Sequence, residues 1–155
     1  MNRLIKIYTD GSSIGNPGPG GYGIVMLIEN ENYKKEFSQG FKLTTNNRME
    51  LLAVIIALEK LKIKNSEVKV FTDSKYVSDA VEKGWLFDWV KKDFKNKKNS
   101  DLWKRFLKIY NDHNVKFFWV KGHSNDFYNE RCDFLANLAA KKSNLIDDIG
   151  YNNLN

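Results

Sequence analysis

The chain has 155 residues and carries 25 Lys and Arg against 19 Asp and Glu, a formal charge of +6 with a pI near 9.3; the length fits one compact domain and the charge suits a polyanionic partner. Hydrophobic residues make up 42% and aromatics 14%, which supports an ordinary core and excludes a disordered composition. One cysteine, Cys132, and two histidines exclude a disulfide scaffold and a zinc finger, the longest apolar run, Leu51 to Leu58, is too short for a membrane span, and with no apolar leader after Met1 the expected compartment is cytoplasmic.

Leu4 to Thr9 alternates Ile5, Ile7 and Thr9 with Lys6, Tyr8 and Asp10, which predicts a strand that ends in a carboxylate and stops at a turn, Asp10-Gly11. Beyond the glycine-rich stretch Gly11 to Gly23, the segments Tyr22 to Ile28 and Tyr33 to Leu43 read as a hairpin of two strands. From Asn47 to Leu61 nothing breaks a helix, and apolar residues on almost every side predict burial from two directions. Val68 to Thr72 is a short strand that again ends in a carboxylate, Asp73. Helices are expected over Ser74 to Lys83 and Asp101 to Asn111, with a Trp- and Lys-rich stretch between them. A strand follows over Val115 to Val120. Cys132, Leu135, Ala136 and Ala139 recur at helical spacing in a last helix from about Phe127 to Lys142, and Ser143 to Asn155 reads as a polar, frayed tail.

This order predicts a mixed α/β layer structure, in which a right-handed crossover through the Asn47 helix returns the Val68 strand parallel to the Leu4 strand. Asp10 and Asp73 then meet at the carboxyl ends of neighbouring strands, where open α/β sheets bind ligands. Glu50, in the first turn of the buried helix, and Asp133, near the start of the last one, come from elements whose ends converge on the same place. Carboxylates so close repel strongly, and such a cluster persists when a cation neutralises it; oxygen ligands favour Mg²⁺ or Mn²⁺. Each acid also admits a structural role: Asp10 in a turn, Asp73 as a helix cap, Glu50 in a capping box led by Asn47, and Asp133 as a solvated helix charge.

The runs Tyr8-Thr-Asp-Gly-Ser-Ser-Ile-Gly-Asn-Pro-Gly-Pro-Gly-Gly-Tyr-Gly23, Thr44-Thr-Asn-Asn-Arg-Met-Glu-Leu51, Thr72-Asp-Ser-Lys-Tyr-Val77, Trp119-Val-Lys-Gly-His123 and Asn129-Glu-Arg-Cys-Asp133 resemble, in this order, the bacterial-type ribonuclease HI family. The resemblance spans nearly the whole chain. It implies an RNase H-like fold: a five-stranded mixed sheet, three antiparallel N-terminal strands and two parallel additions, flanked by helices in one domain over residues 1–142. It also implies an endonuclease that cuts the RNA strand of RNA:DNA hybrids with little sequence preference, leaving 5′-phosphate and 3′-hydroxyl ends. Asp10, Glu50, Asp73 and Asp133 are then the metal-binding acids for two Mg²⁺ ions, with Mn²⁺ as a substitute. His123, in a polar loop, assists proton transfer or product release. Asn16, Thr45, Asn46 and Asn47 resemble residues that touch phosphate, sugar or base edges. A basic protrusion at about residues 84–100 is expected to grip the hybrid through Trp85, Trp89, Lys91, Lys92, Lys95, Lys97 and Lys98, and residues 143–155 form a tail. The implied partner is the hybrid duplex alone, bound by a monomer, with no membrane and no protein partner.

Two positions depart from the commoner pattern: Lys75 stands where relatives often carry Gln, and the apolar Phe134 where an acid is frequent. Another nuclease or polynucleotidyl transferase on the same fold would lack the Thr44 to Leu51 run, and a non-enzymatic hybrid-binding module would not need all four acids.

Overall fold

The structure, a computed structural model, describes residues 4–29, 31–122 and 126–153. Three strands open the chain, β1 (Leu4–Ser13), β2 (Gly18–Ile28) and β3 (Tyr33–Thr44), followed by helix α1 (Asn46–Glu59) and strand β4 (Glu67–Thr72). Helices α2 (Lys75–Glu82), α3 (Trp85–Lys91) and α4 (Ser100–Tyr110) lead to β5 (Asn114–Trp119), α5 (Phe127–Ala140) and the short α6 (Ile149–Asn153). The sheet order is β3-β2-β1-β4-β5. β1, β2 and β3 pair antiparallel, whereas β4 joins β1, and β5 joins β4, in parallel. The expected mixed sheet and the crossover through α1 are both present.

Alternation along the strands sets the layers. Ile5, Ile7, Ile24, Met26, Val68, Val70, Val115 and Phe117 are buried on the face that receives α1. α1 is apolar all round because α4 packs on its other side with Leu102, Trp103 and Phe106. Helix α5 lies on the opposite face, over β2, β1 and β3. It comes close because β2 offers glycine there: a Cβ on Gly23 would strike the Cys132 carbonyl oxygen, and one on Gly21 the carbonyl of Ala136.

Two expectations are corrected. Asp10-Gly11 is not a turn, for β1 runs straight through it to Ser13, pairing Asp10 with Gly23 and Gly11 with Tyr22. Nor is the described part of the tail frayed. Ile146 bridges to Phe41, and Asp148, 6% exposed, takes Nε and Nη2 of the buried Arg48 at 2.7 and 2.9 Å and the Thr44 hydroxyl at 2.7 Å. Arg48 in turn holds Asp101 through a second two-pronged contact at 2.9 and 2.8 Å. A polar composition concealed the buried ion pair. Among the described residues no helix is long and apolar enough to cross a membrane.

Candidate active site

Local chemistry frees each acid from the structural role open to it. Thr45, not Asn47, caps α1, its hydroxyl accepting from Arg48 N–H at 3.2 Å; Glu50 therefore lies beyond the capping-box position, and its carboxylate accepts from the Gly11 N–H at 2.6 Å. A Cβ on Gly11 would strike the backbone of Met49 and Glu50, so only glycine lets β1 lie this close to α1. Ser74 caps α2, accepting from Val77 N–H at 3.3 Å, which leaves the Asp73 side chain uncommitted as a cap. Asp126 caps α5, accepting from Asn129 N–H at 3.0 Å, and Asp133 follows two turns in.

The parallel register that sets Thr9 beside Thr72 makes Asp10 and Asp73 neighbours where the β1–β4 pairing stops. Asp10, Glu50 and Asp73 each offer a carboxylate oxygen within 4.8 Å of the others. Burial and then the Asp73 charge push the Asp10 carboxyl up to about 8, with Asp133 adding to the shift. Burial and then Asp10 raise Glu50 well above the carboxylate range. Three buried or half-buried acids that repel one another and offer only oxygen fit a hard divalent cation.

Asp133 stands beside Asp10 but outside that close triad. Its orientation has a partner that sequence reasoning missed: the Asn137 side-chain amide donates to Asp133 Oδ1 at 3.0 Å, and Asn137 Oδ1 accepts from the Ser12 hydroxyl at 3.2 Å. Trp119 Nε1–H likewise ties down the Asp73 carbonyl at 3.0 Å, with the Lys75 ammonium 4.5 Å from the Trp119 ring centroid. The spacing of Asn137, one helical turn after Asp133, was the available signal. His123 lies outside the described residues, but the neighbouring Gly122 stands against Asp73.

A cleft of about 520 Å³ brings together Asn16, Thr45, Asn47, Lys97 and Lys98, with Pro17, Asn99, Ser100 and Tyr151 completing its wall. Asn46 is not part of it; its Oδ1 instead accepts from the Ser13 N–H and hydroxyl at 2.6 and 3.0 Å, a tie between β1 and α1. Asn99 was overlooked because its signal is conformational: it caps α4 in a left-handed conformation, φ 63°, which Asn tolerates. Lys91, Lys92, Lys95, Lys97 and Lys98 are all exposed. Of the two tryptophans of the protrusion, Trp85 is exposed, whereas Trp89 packs edge-on against Trp103 at 5.6 Å.

A mixed sheet of this order, carrying an all-oxygen acidic cluster where the pairing of β1 with β4 stops, defines the class of metal-assisted nuclease with the RNase H-like fold. The chain belongs to the RNase H family, whose model matches residues 2–141. It is 54% identical over 152 residues to the ribonuclease H of Trichodesmium erythraeum, covering 95% of each chain. The crystal structure of LC9-RNase H1, described as a type 1 RNase H with the type 2 active-site motif, superposes with a TM-score of 0.81 at 32% identity, covering 90% of this chain and 73% of that one. LC11-RNase H1, solved in complex with an RNA/DNA hybrid, superposes with a TM-score of 0.67 at 32% identity, covering 88% and 96%. This protein is a nuclease of the hydrolase class.

Proposed function

We propose that the protein hydrolyses the RNA strand of RNA:DNA hybrids internally, leaving 5′-phosphate and 3′-hydroxyl ends. The observation that carries this reading is the approach of the carboxylate oxygens of Asp10 on β1, Glu50 near the start of α1 and Asp73 just past β4 to within 4.8 Å of one another. Divalent cations held there, two Mg²⁺ ions in the bound state with Mn²⁺ able to substitute, would lower the pKa of bound water and neutralise charge at the scissile phosphate. Asp133, oriented by Asn137, completes the ligand set. His123 assists proton transfer or product release.

The remaining groups hold substrate. Asn16, Thr45, Asn47, Lys97 and Lys98 share one cleft whose size and amide, hydroxyl and ammonium chemistry suit a nucleic-acid backbone. Lys91, Lys92 and Lys95 extend the positive surface beyond it, with Trp85 exposed at the start of the protrusion and Trp89 serving as packing for it. Asn46 acts indirectly, by fixing the loop. The catalytic domain spans residues 1–142, and the protein works as a cytoplasmic monomer. The test is cleavage of an end-labelled hybrid against duplex DNA and duplex RNA, with Mg²⁺ and with chelator. Selective loss of the RNA strand in Mg²⁺ is the expected result, and equal cleavage of all three duplexes, or none of the hybrid, would overturn the reading.

A further inference from the structure

The outer faces of β1, β4 and β5 are ordered in rows. Register places Lys6, Lys69 and Lys116 side by side, and two residues further on Tyr8, Phe71 and Phe118. Another two residues along the same strands come Asp10 and Asp73. A lysine row, an aromatic row and the acids therefore succeed one another at intervals of roughly 6.6 Å. The three rings form a stack, with centroids 4.6 Å apart between Tyr8 and Phe71 and 5.4 Å between Phe71 and Phe118. Tyr128 of α5 closes the inner end against Tyr8 at 5.0 Å.

The outer end is open. β5 is an edge strand, and Phe118 is 39% exposed. Lys116 beside it is exposed too. Lys6 is satisfied by Glu29 at 2.8 Å, but Lys69 and Lys116 stand directly opposite one another, a like-charge pairing that destabilises a sheet unless an anion lies over it. Lys69 also sits 5.9 Å from the Phe118 ring centroid. The row beyond carries Glu67 beside Asn114, so the positive charge is confined to a band next to the rings. An aromatic face with an adjoining cationic band is the arrangement that binds single-stranded nucleic acid, bases on rings and phosphates on ammonium groups.

We infer that this face takes a single-stranded RNA tail continuous with the RNA strand held at the acids, a base stacking on Phe118 and a phosphate meeting Lys69 and Lys116. The RNA strand is the one that reaches the carboxylates, and the rows lie on the same strands directly beneath them. The inference rests on the nuclease reading above and extends it to substrates with single-stranded flanks.

Anisotropy titrations on the cleavage-deficient Asp10→Asn protein, using a blunt labelled hybrid and the same hybrid carrying an RNA tail or a DNA tail, test this. The RNA tail should tighten binding roughly tenfold. Phe118→Ala should abolish that gain and Phe118→Tyr retain it. Lys69→Gln with Lys116→Gln should remove most of the gain and flatten the salt slope for the tailed hybrid by about 1.4, with blunt-hybrid affinity unchanged in every case. No gain from the tail, an equal gain from a DNA tail, an equal loss on the blunt hybrid, or a concentration-dependent dimer abolished by Phe118→Ala would overturn the inference. Blunt-hybrid cleavage by the wild-type protein is read separately: its failure overturns the nuclease reading, whereas cleavage without a tail effect overturns only this one.

Discussion

The Gly11 N–H donates to Glu50 Oε1 at 2.6 Å across the seam between β1 and α1, so the backbone that follows one acid holds the side chain of another. The contact exists because residue 11 has no Cβ. Gly11→Ala would drive a methyl into the Met49–Glu50 backbone, and the helix has to move away. We expect a stability loss of about 1–3 kcal/mol together with a fall in kcat, since Asp10 and Glu50 separate. Thermal melts and steady-state cleavage check this; unchanged kcat would show that the seam does not set the spacing of the acids.

The raised Asp10 carboxyl gives a pH prediction for the metal-free protein. Its pKa in the fold, about 8, lies above the ordinary 3.8, so the native state binds this proton more tightly than the unfolded chain. Stability must then fall as pH rises through that window. Asp10→Asn removes the charge and should flatten the dependence, raising Tm in chelator at neutral pH by roughly 2–4 °C for each kcal/mol of relieved repulsion, while abolishing cleavage. Mg²⁺ should raise the wild-type Tm more than that of the variant. A variant that melts below the wild type in chelator at neutral pH would contradict the electrostatic account.

Arg48 joins the start of α1 to Asp101 on α4 and to Asp148 near the C-terminus. Removing one carboxylate leaves a buried guanidinium short of charge. Asp148→Ala should therefore cost about 3–5 kcal/mol, at roughly 2–4 °C of Tm per kcal/mol. Activity per folded molecule at low temperature should change little, because Glu50, two residues further along the same helix, does not share a face with Arg48 and is held separately by the Gly11 N–H. A melt within a degree of wild type would show the pair to be dispensable.

What was readable in the sequence followed from periodicity. Strand alternation placed Asp73 at the end of a strand and Asp10 on the strand beside it, and the apolar girth of the Asn47 helix implied its central position. The misreadings concern residues whose roles depend on what lies across a gap. Gly11 signals a turn in one dimension and a close approach in three. Thr45 and Asn47 compete for one cap on nearly equal local terms, and the loop tie through Asn46 decides the geometry. Asn137 and Asp148 serve partners 125 and 100 residues away, Ser12 and Arg48, and no local pattern reports such pairings.

The lysines divide by position, and so should their effects. Lys97 and Lys98 line the cleft with Asn16, Thr45 and Asn47, and the Lys97 ammonium sits 5.0 Å from the Trp89 ring centroid, which fixes it at the cleft rim. The other three stand outside that wall. Neutralising Lys97 and Lys98 would remove two charges that line the cleft and leave the acids in place, so KM should rise with kcat little changed. The plot of log K against log salt should lose about 1.4 to 1.8 in slope for the two charges. Neutralising Lys91, Lys92 and Lys95 should flatten the slope by less, since exposed charges outside the cleft contribute mainly long-range attraction that salt screens. Binding titrations across a salt series on a blunt hybrid measure both. A slope that changes equally for the two sets would make the protrusion a diffuse positive face, and a slope unchanged by either would place the grip on the duplex elsewhere in the molecule.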